Sequence, residues 1–254
     1  MRISLVPSST SAESPLQFLT SYILNDTIAL DAGSIGFFRA PREQARVKHV
    51  LITHTHMDHV ASLPIFLENV FSQGSECVTI HASEAVQETL KRDLFNNFLW
   101  PDFVNLAPNG VPFLKFSTLK PGVPVELDGL KFTPIPVDHV VPTLGFLIED
   151  GNASVLIPSD TGPTEEIWQR ASKAANLKAV FLEACFPNAM AGLAQISKHL
   201  TPSMFLGEVK KLKVPAALFA VHIKPLFHDK IVQELHELGL EKLSIARMGF
   251  DYVF

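Results

Sequence analysis

Thr53-His54-Thr55-His56-Met57-Asp58-His59-Val60 is the stretch on which the reading of the whole chain turns. Three histidines and one aspartate fall within six positions, directly after the apolar run of residues 47–53. That run reads as a buried strand. In extended backbone, residues i and i+2 point the same way, so His54 and His56 can face one ion together. A turn after Met57 can swing Asp58 and His59 toward a second. Imidazole and carboxylate donors suit zinc, and also manganese or iron. Left unpaired beside an apolar strand, such a group would be costly.

Outward from this motif, strand-like and helix-like segments alternate. Residues 22–30 predict two short strands around an Asn25-Asp26 turn, and 63–72 a helix with Pro64 in its first turn. Residues 77–81 predict a strand, and Ser83 caps a helix over 84–94. Asp128-Gly129 and Asp150-Gly151 are hairpin signals, joining 123–127 to 130–137 and 144–149 to 153–158. Pro163 opens a helix to about 175, and residues 178–183 form a strand. Thr201-Pro202 starts a helix to about 212. A strand over 215–221, a helix over 228–239 and a final strand pair over 243–254 complete the series. One layered α/β unit over residues 1–254 explains this order better than two domains, with two halves meeting near residue 122. No repeat of 20–50 residues is visible.

Composition sets limits. The chain has 254 residues, 47% apolar and 19% charged, with a net charge of −5. That excludes a disordered tail and a polybasic nucleic-acid binder; a long polyphosphate backbone prefers a basic partner. Nineteen Phe against two Trp and two Tyr speak for a packed interior. Cys77 and Cys185 stand in no metal-type spacing and read as buried thiols in a reducing compartment. With no apolar leader and no membrane-length apolar run, the expectation is a cytoplasmic protein.

The spacing His54-x-His56-x-Asp58-His59 resembles the signature of the metallo-β-lactamase superfamily. The fold this implies is an αβ/βα sandwich of four layers with mixed sheets. The resemblance implies further ligands after later strands: His139 in Pro136-Val-Asp-His-Val, Asp160 in Ile157-Pro-Ser-Asp-Thr-Gly, and His222 in Ala220-Val-His-Ile-Lys-Pro. His54, His56 and His139 would hold one divalent ion, and Asp58, His59 and His222 the other, with Asp160 bridging. Asp31, in Leu30-Asp-Ala-Gly-Ser, matches an early aspartate that orients a ligand histidine. Zinc is the expected metal.

A narrower resemblance, to class II 3′,5′-cyclic-nucleotide phosphodiesterases, rests on Leu94-Phe-Asn-Asn-Phe-Leu-Trp-Pro-Asp, on Glu183 near a strand end, on His199-Leu-Thr-Pro and on Val221-His-Ile-Lys. It implies hydrolysis of cAMP or cGMP by a metal-bridging hydroxide, with His199 as general acid and Asp58 or Asp160 helping to orient the nucleophile. Asn96, Asn97 and Trp100 are the candidate substrate-binding residues, by amide contacts and base stacking. Two departures stand out: Pro7-Ser-Ser-Thr-Ser replaces a glycine-rich turn, and Lys198 stands where glycine is usual. Relatives in the superfamily often form homodimers. The alternatives are a tRNA 3′-processing endonuclease, a hydrolase of esters, lactones or thioesters, and a non-catalytic metal-binding module. His49, His81, His228 and His236 are not expected to be ligands.

Overall fold

The computed structural model describes residues 1–9, 14–71 and 77–254. Its strands form two seven-stranded sheets. The first contains β1 (Arg2–Leu5), β2 (Tyr22–Leu24), β3 (Ile28–Leu30), β4 (His49–Leu51), β5 (Val78–Ala82), β6 (Leu114–Thr118) and, from the far end of the chain, β14 (Asp251–Val253). The second contains β7 (Val125–Leu127), β8 (Leu130–Val137), β9 (Thr143–Glu149), β10 (Ser154–Ser159), β11 (Leu177–Glu183), β12 (Ala217–Val221) and β13 (Leu243–Ile245).

Each sheet is antiparallel along one half and parallel along the other. In the first, β14, β1, β2 and β3 pair antiparallel, and β3 to β6 pair parallel. In the second, β7 to β10 pair antiparallel, and β10 to β13 pair parallel. The parallel halves have helices between their strands, the first being α1 (Pro41–Gln44), as crossover geometry requires.

Strand residues alternate between two cores. Tyr22, Leu24, Leu51, Phe146, Val155 and Phe181 pack between the sheets. Ile23, Val50 and Ile52 pack outward with α3 (Leu63–Val70) and α4 (Glu84–Thr89). Leu156, Val180 and Leu182 pack outward with α5 (Glu166–Ala171), α7 (Pro202–Val209) and α8 (His228–Glu237). The result is the expected helix, sheet, sheet, helix order of mixed sheets. Both faces of the central strands are covered, so they read as unbroken apolar runs rather than alternating ones.

Several expected elements are corrected. The pair over 243–254 does not form: β13 lies parallel to β12, whereas β14 crosses to the first sheet and pairs with β1. The helix from Pro163 starts later, at Glu166, because side chains hold the loop before it. Thr161 N donates to Glu183 Oε1, and Thr164 N donates to Glu208 Oε2. The helix over 84–94 is α only to Thr89; its last turn, Leu90–Leu94, is a π turn. Residue 72 of the 63–72 helix, and Thr10 and Ser11 of the early loop, lie outside the described residues.

Candidate metal centre

The site gathers at the carboxyl ends of strands from both sheets, where open α/β sheets place their ligands. His54 follows β4. His56 ends the extended stretch with φ −63° and ψ 146°, and α2 (Met57–Val60) begins at the next residue. The turn expected after Met57 is thus a helix start, and it carries Asp58 and His59 inward. His139 follows β8, Asp160 follows β10 and His222 follows β12.

All seven expected ligands come together. His54, His56, His139 and Asp160 form one group whose donor atoms lie within 4.8 Å of one another, and Asp58, His59, Asp160 and His222 form the second. Asp160 belongs to both, as a bridging ligand must. Its carboxylate lies 3.7 Å from His54 Nε2, 3.3 Å from His59 Nε2 and 3.5 Å from His222 Nε2. Those histidines hold its pKa well below the usual carboxylate range against the opposing effect of burial.

The ring tautomers point the same way. Thr53 Oγ1 donates to Asp31, so it accepts from His54 Nδ1 at 3.0 Å. His59 Nδ1 lies 2.7 Å from Asp31 Oδ2, and His139 Nδ1 donates to the Lys198 carbonyl at 3.0 Å. Each bond leaves Nε2 as the lone-pair nitrogen facing the cluster. His54 Nε2 and His59 Nε2 are buried without a hydrogen-bond partner. His139 Nε2 and His56 Nδ1 face each other at 3.2 Å. Buried nitrogens without a donor are expensive in a core and ordinary in a cation site, so these residues fit divalent metal ions. Without an ion, burial opposes charge on His59 and His222, but Asp160 with Asp31 or Asp58 raises their pKa values to about 10 and about 9.

The backbone is held in unusual shapes around this cluster. Asp31, Ser159, Lys198 and His222 have φ of 60°, 63°, 52° and 54°. Outside glycine the left-handed region costs about 1–2 kcal/mol per residue, and such residues collect at functional sites. Lys198 explains its own departure from glycine. It ends α6 (Ala191–Ser197) in the left-handed conformation, where glycine is the easy choice. Its carbonyl serves His139, and its ammonium pairs with Asp138 at 2.6 Å.

His199 stands beside the cluster. Its ring centroid is 5.0 Å from that of His139 and 5.7 Å from that of His222. Its Nδ1 donates to Glu183 Oε1 at 2.8 Å. Glu183 is 1% exposed and also accepts from Thr161 N and Leu200 N. Burial works against a charged His199, but Glu183 and a contact with Cys185 outweigh it and raise its pKa to about 10. Lys224 Nζ lies 3.7 Å from Asp58 Oδ2 at the margin.

Asn96, Asn97 and Trp100 lie apart from this network. Asn96 Oδ1 accepts from Phe98 N and Leu99 N, and its Nδ2 donates to the Arg92 carbonyl. Asn97 Oδ1 accepts from Asp102 N. Trp100 is half-buried edge-on to Phe103. Among the described residues no hydrogen bond, ion pair or ring contact joins the three to the metal cluster. Three supporting residues had no assigned role in the sequence reading: Thr53, Glu183 as the partner of His199, and the Lys198 carbonyl. Thr53 and Glu183 had a signal, a polar residue at the end of a buried strand. The Lys198 carbonyl had none.

A 3′,5′-cyclic-nucleotide phosphodiesterase of Aliivibrio fischeri is 28% identical over 185 residues, 66% of this chain and 54% of that protein. Ribonuclease Z of Mycobacterium bovis (strain BCG / Pasteur 1173P2) is 30% identical over 141 residues, 51% of this chain and 50% of that protein. The chain thus spans about half the length of each. The crystal structure of unliganded yeast PDE1 superposes with a TM-score of 0.79 over 98% of both chains at 16% identity, a likeness of fold. The family model described as Beta-lactamase superfamily domain matches residues 27–223, a span that holds all seven expected ligands and His199, and the chain belongs to that family.

Proposed function

We propose that this protein is a metal-dependent phosphodiesterase that opens 3′,5′-cyclic nucleotides to 5′-nucleotides. The observation that carries the reading is a buried histidine, His199, fixed by a buried carboxylate beside two His/Asp clusters that could each hold a cation and share one aspartate. In diester hydrolysis the leaving alkoxide takes a proton or a metal, and His199 is the candidate for giving the proton.

His54, His56, His139 and Asp160 would hold one divalent ion, and Asp58, His59, His222 and Asp160 the other, with zinc the proposed metal. Such ions lower the pKa of a bound water toward 7 and neutralise phosphate charge. Asp58 and Asp160 fix the side from which water approaches. Glu183 holds His199 through Nδ1–H, so that in the charged imidazolium Nε2–H is the proton delivered to the leaving 3′-oxygen. Lys224, beside Asp58, adds a positive charge at the margin for the anionic substrate.

A small cyclic nucleotide is preferred to a long nucleic acid on the net charge of −5, and a cytoplasmic location is proposed with it. Among the described residues no helix is long and apolar enough to cross a membrane. Ribonuclease relatives of similar identity support a second reading, an RNA diesterase with the same centre. Zinc- or manganese-loaded protein would be assayed on cAMP, cGMP and bis-p-nitrophenyl phosphate. Cyclic-nucleotide turnover to the 5′-product is expected; turnover of the synthetic diester alone would reject the cyclic-nucleotide assignment in favour of another diester. Asn96, Asn97 and Trp100 are proposed to shape the base-binding side. Trp100→Ala is expected to raise KM for the nucleotide and leave bis-p-nitrophenyl phosphate unaffected.

A further inference from the structure

Cys185 enters the chemistry above only through its contact with His199, and the fold places it near His222 as well. Its segment continues β11 past Glu183. Ala184 N donates to the Val221 carbonyl at 3.0 Å, and Cys185 N donates to the Leu200 carbonyl at 2.9 Å. Val221 precedes His222, and Leu200 follows His199. Three neighbouring backbones therefore bring a thiol and two imidazoles together. Cys185 Sγ and one ring nitrogen each of His199 and His222 lie within 4.8 Å of one another, all three residues buried.

We propose that Cys185, His199 and His222 form a third cation site, selective for thiophilic divalent ions such as cadmium or excess zinc. A Cys-His-His donor set is zinc-type chemistry, and metal–ligand bonds of about 2.0–2.3 Å are compatible with the observed spread. Two further observations point to a ligand. His222 Nδ1 is buried with no hydrogen-bond partner, although its Nε2 faces Asp58 and Asp160. Glu183 backs His199 at Nδ1, the usual support of a metal-bound imidazole. Without an ion, burial raises the thiol pKa to about 11. Binding releases the thiol proton and the protons on the His199 and His222 ring nitrogens that bind, all to solvent, as one sulfur–metal and two nitrogen–metal bonds form.

Filling this site takes His199 out of proton transfer, so the ion inhibits. The inhibitory half rests on the phosphodiesterase reading; the cation site does not. The test titrates two-zinc protein with cadmium and follows the ultraviolet thiolate-to-cadmium band, cadmium bound per chain, zinc released and cAMP turnover. One band-forming cadmium per chain is expected, lost in both Cys185→Ser and Cys185→Ala and kept in Cys77→Ser. The cadmium concentration for half-inhibition should rise at least tenfold in the Cys185 variants. No band in the wild type, a band that survives in both Cys185 variants, or zinc displaced without a thiolate band would overturn the site. A protein inactive on diesters but showing the Cys185-dependent band would keep the site and remove only its inhibitory role.

Discussion

Single residues behind the ligands decide whether the ligands work. Asp31 accepts from Thr53 and holds His59 at Nδ1, so Asp31→Ala leaves that ring free to turn. Metal affinity at the Asp58, His59 and His222 cluster is expected to fall 10- to 100-fold, read by competition with a chelator dye. His199→Ala should lower kcat on cAMP by about 10²- to 10⁴-fold with little change in KM, the range for losing a general acid. Glu183→Gln should cost less and move the pH-rate profile, because His199 loses the carboxylate that keeps it protonated. At this scale the motif was legible: its three histidines and aspartate after an apolar strand gather with His139, Asp160 and His222 into clusters that could hold metal. The Lys198 carbonyl was not, because every residue has a carbonyl and only a left-handed φ turns this one toward His139.

At the scale of elements, the motif is clamped by the loop before it. Thr20 N donates to the Asp58 carbonyl, and Gly33 N donates to the Thr20 carbonyl. A Cβ at Gly33 would stand 2.1 Å from the Asp58 carbonyl oxygen and 2.8 Å from Thr20 backbone atoms. Backbone cannot step aside cheaply, so Gly33→Ala should destabilise by about 1–3 kcal/mol and lower metal content together with Tm. Thermal unfolding and metal analysis of one preparation check both. Hairpin turns and the Ser83 and Thr201 caps were legible, because their chemistry is local: each cap hydroxyl accepts from the backbone N–H three residues on. The start of α5 was not, because Glu183 and Glu208, far along the chain, hold residues 161–164 out of the helix.

At the scale of the molecule, the two halves suspected near residue 122 are two sheets of matching pattern, stitched by β14. Ile3 and Leu24 of the first sheet share one core with Phe132 and Phe181 of the second, and Tyr252 closes it. We propose a single folding unit, expected to unfold in one cooperative transition with coincident far- and near-ultraviolet signals. The crossing of β14 was illegible, because residues 243–254 look equally strand-like in either sheet. Away from the metal centre, His49 Nδ1 meets His81 Nε2 at 3.0 Å, and Asp128 lies 4.0 Å from His49 Nε2. Burial, and then His49, lowers the His81 pKa to about 4. The unfolded chain takes up that proton near pH 6.5 and the folded chain refuses it, so stability falls as pH drops from 7 through 5. The wild type should lose about 2 kcal/mol more than His81→Leu over that range, measured by urea unfolding of chelator-treated protein.

The proposed centre holds two ions on seven side chains, joined by Asp160. Its most direct test is mass-spectrometric metal content per chain after zinc loading and dialysis, for the wild type and Asp160→Ala. Two zinc ions per wild-type chain, falling to one or none in Asp160→Ala, are expected. One ion or fewer in the wild type, or two retained without Asp160, would contradict the shared centre.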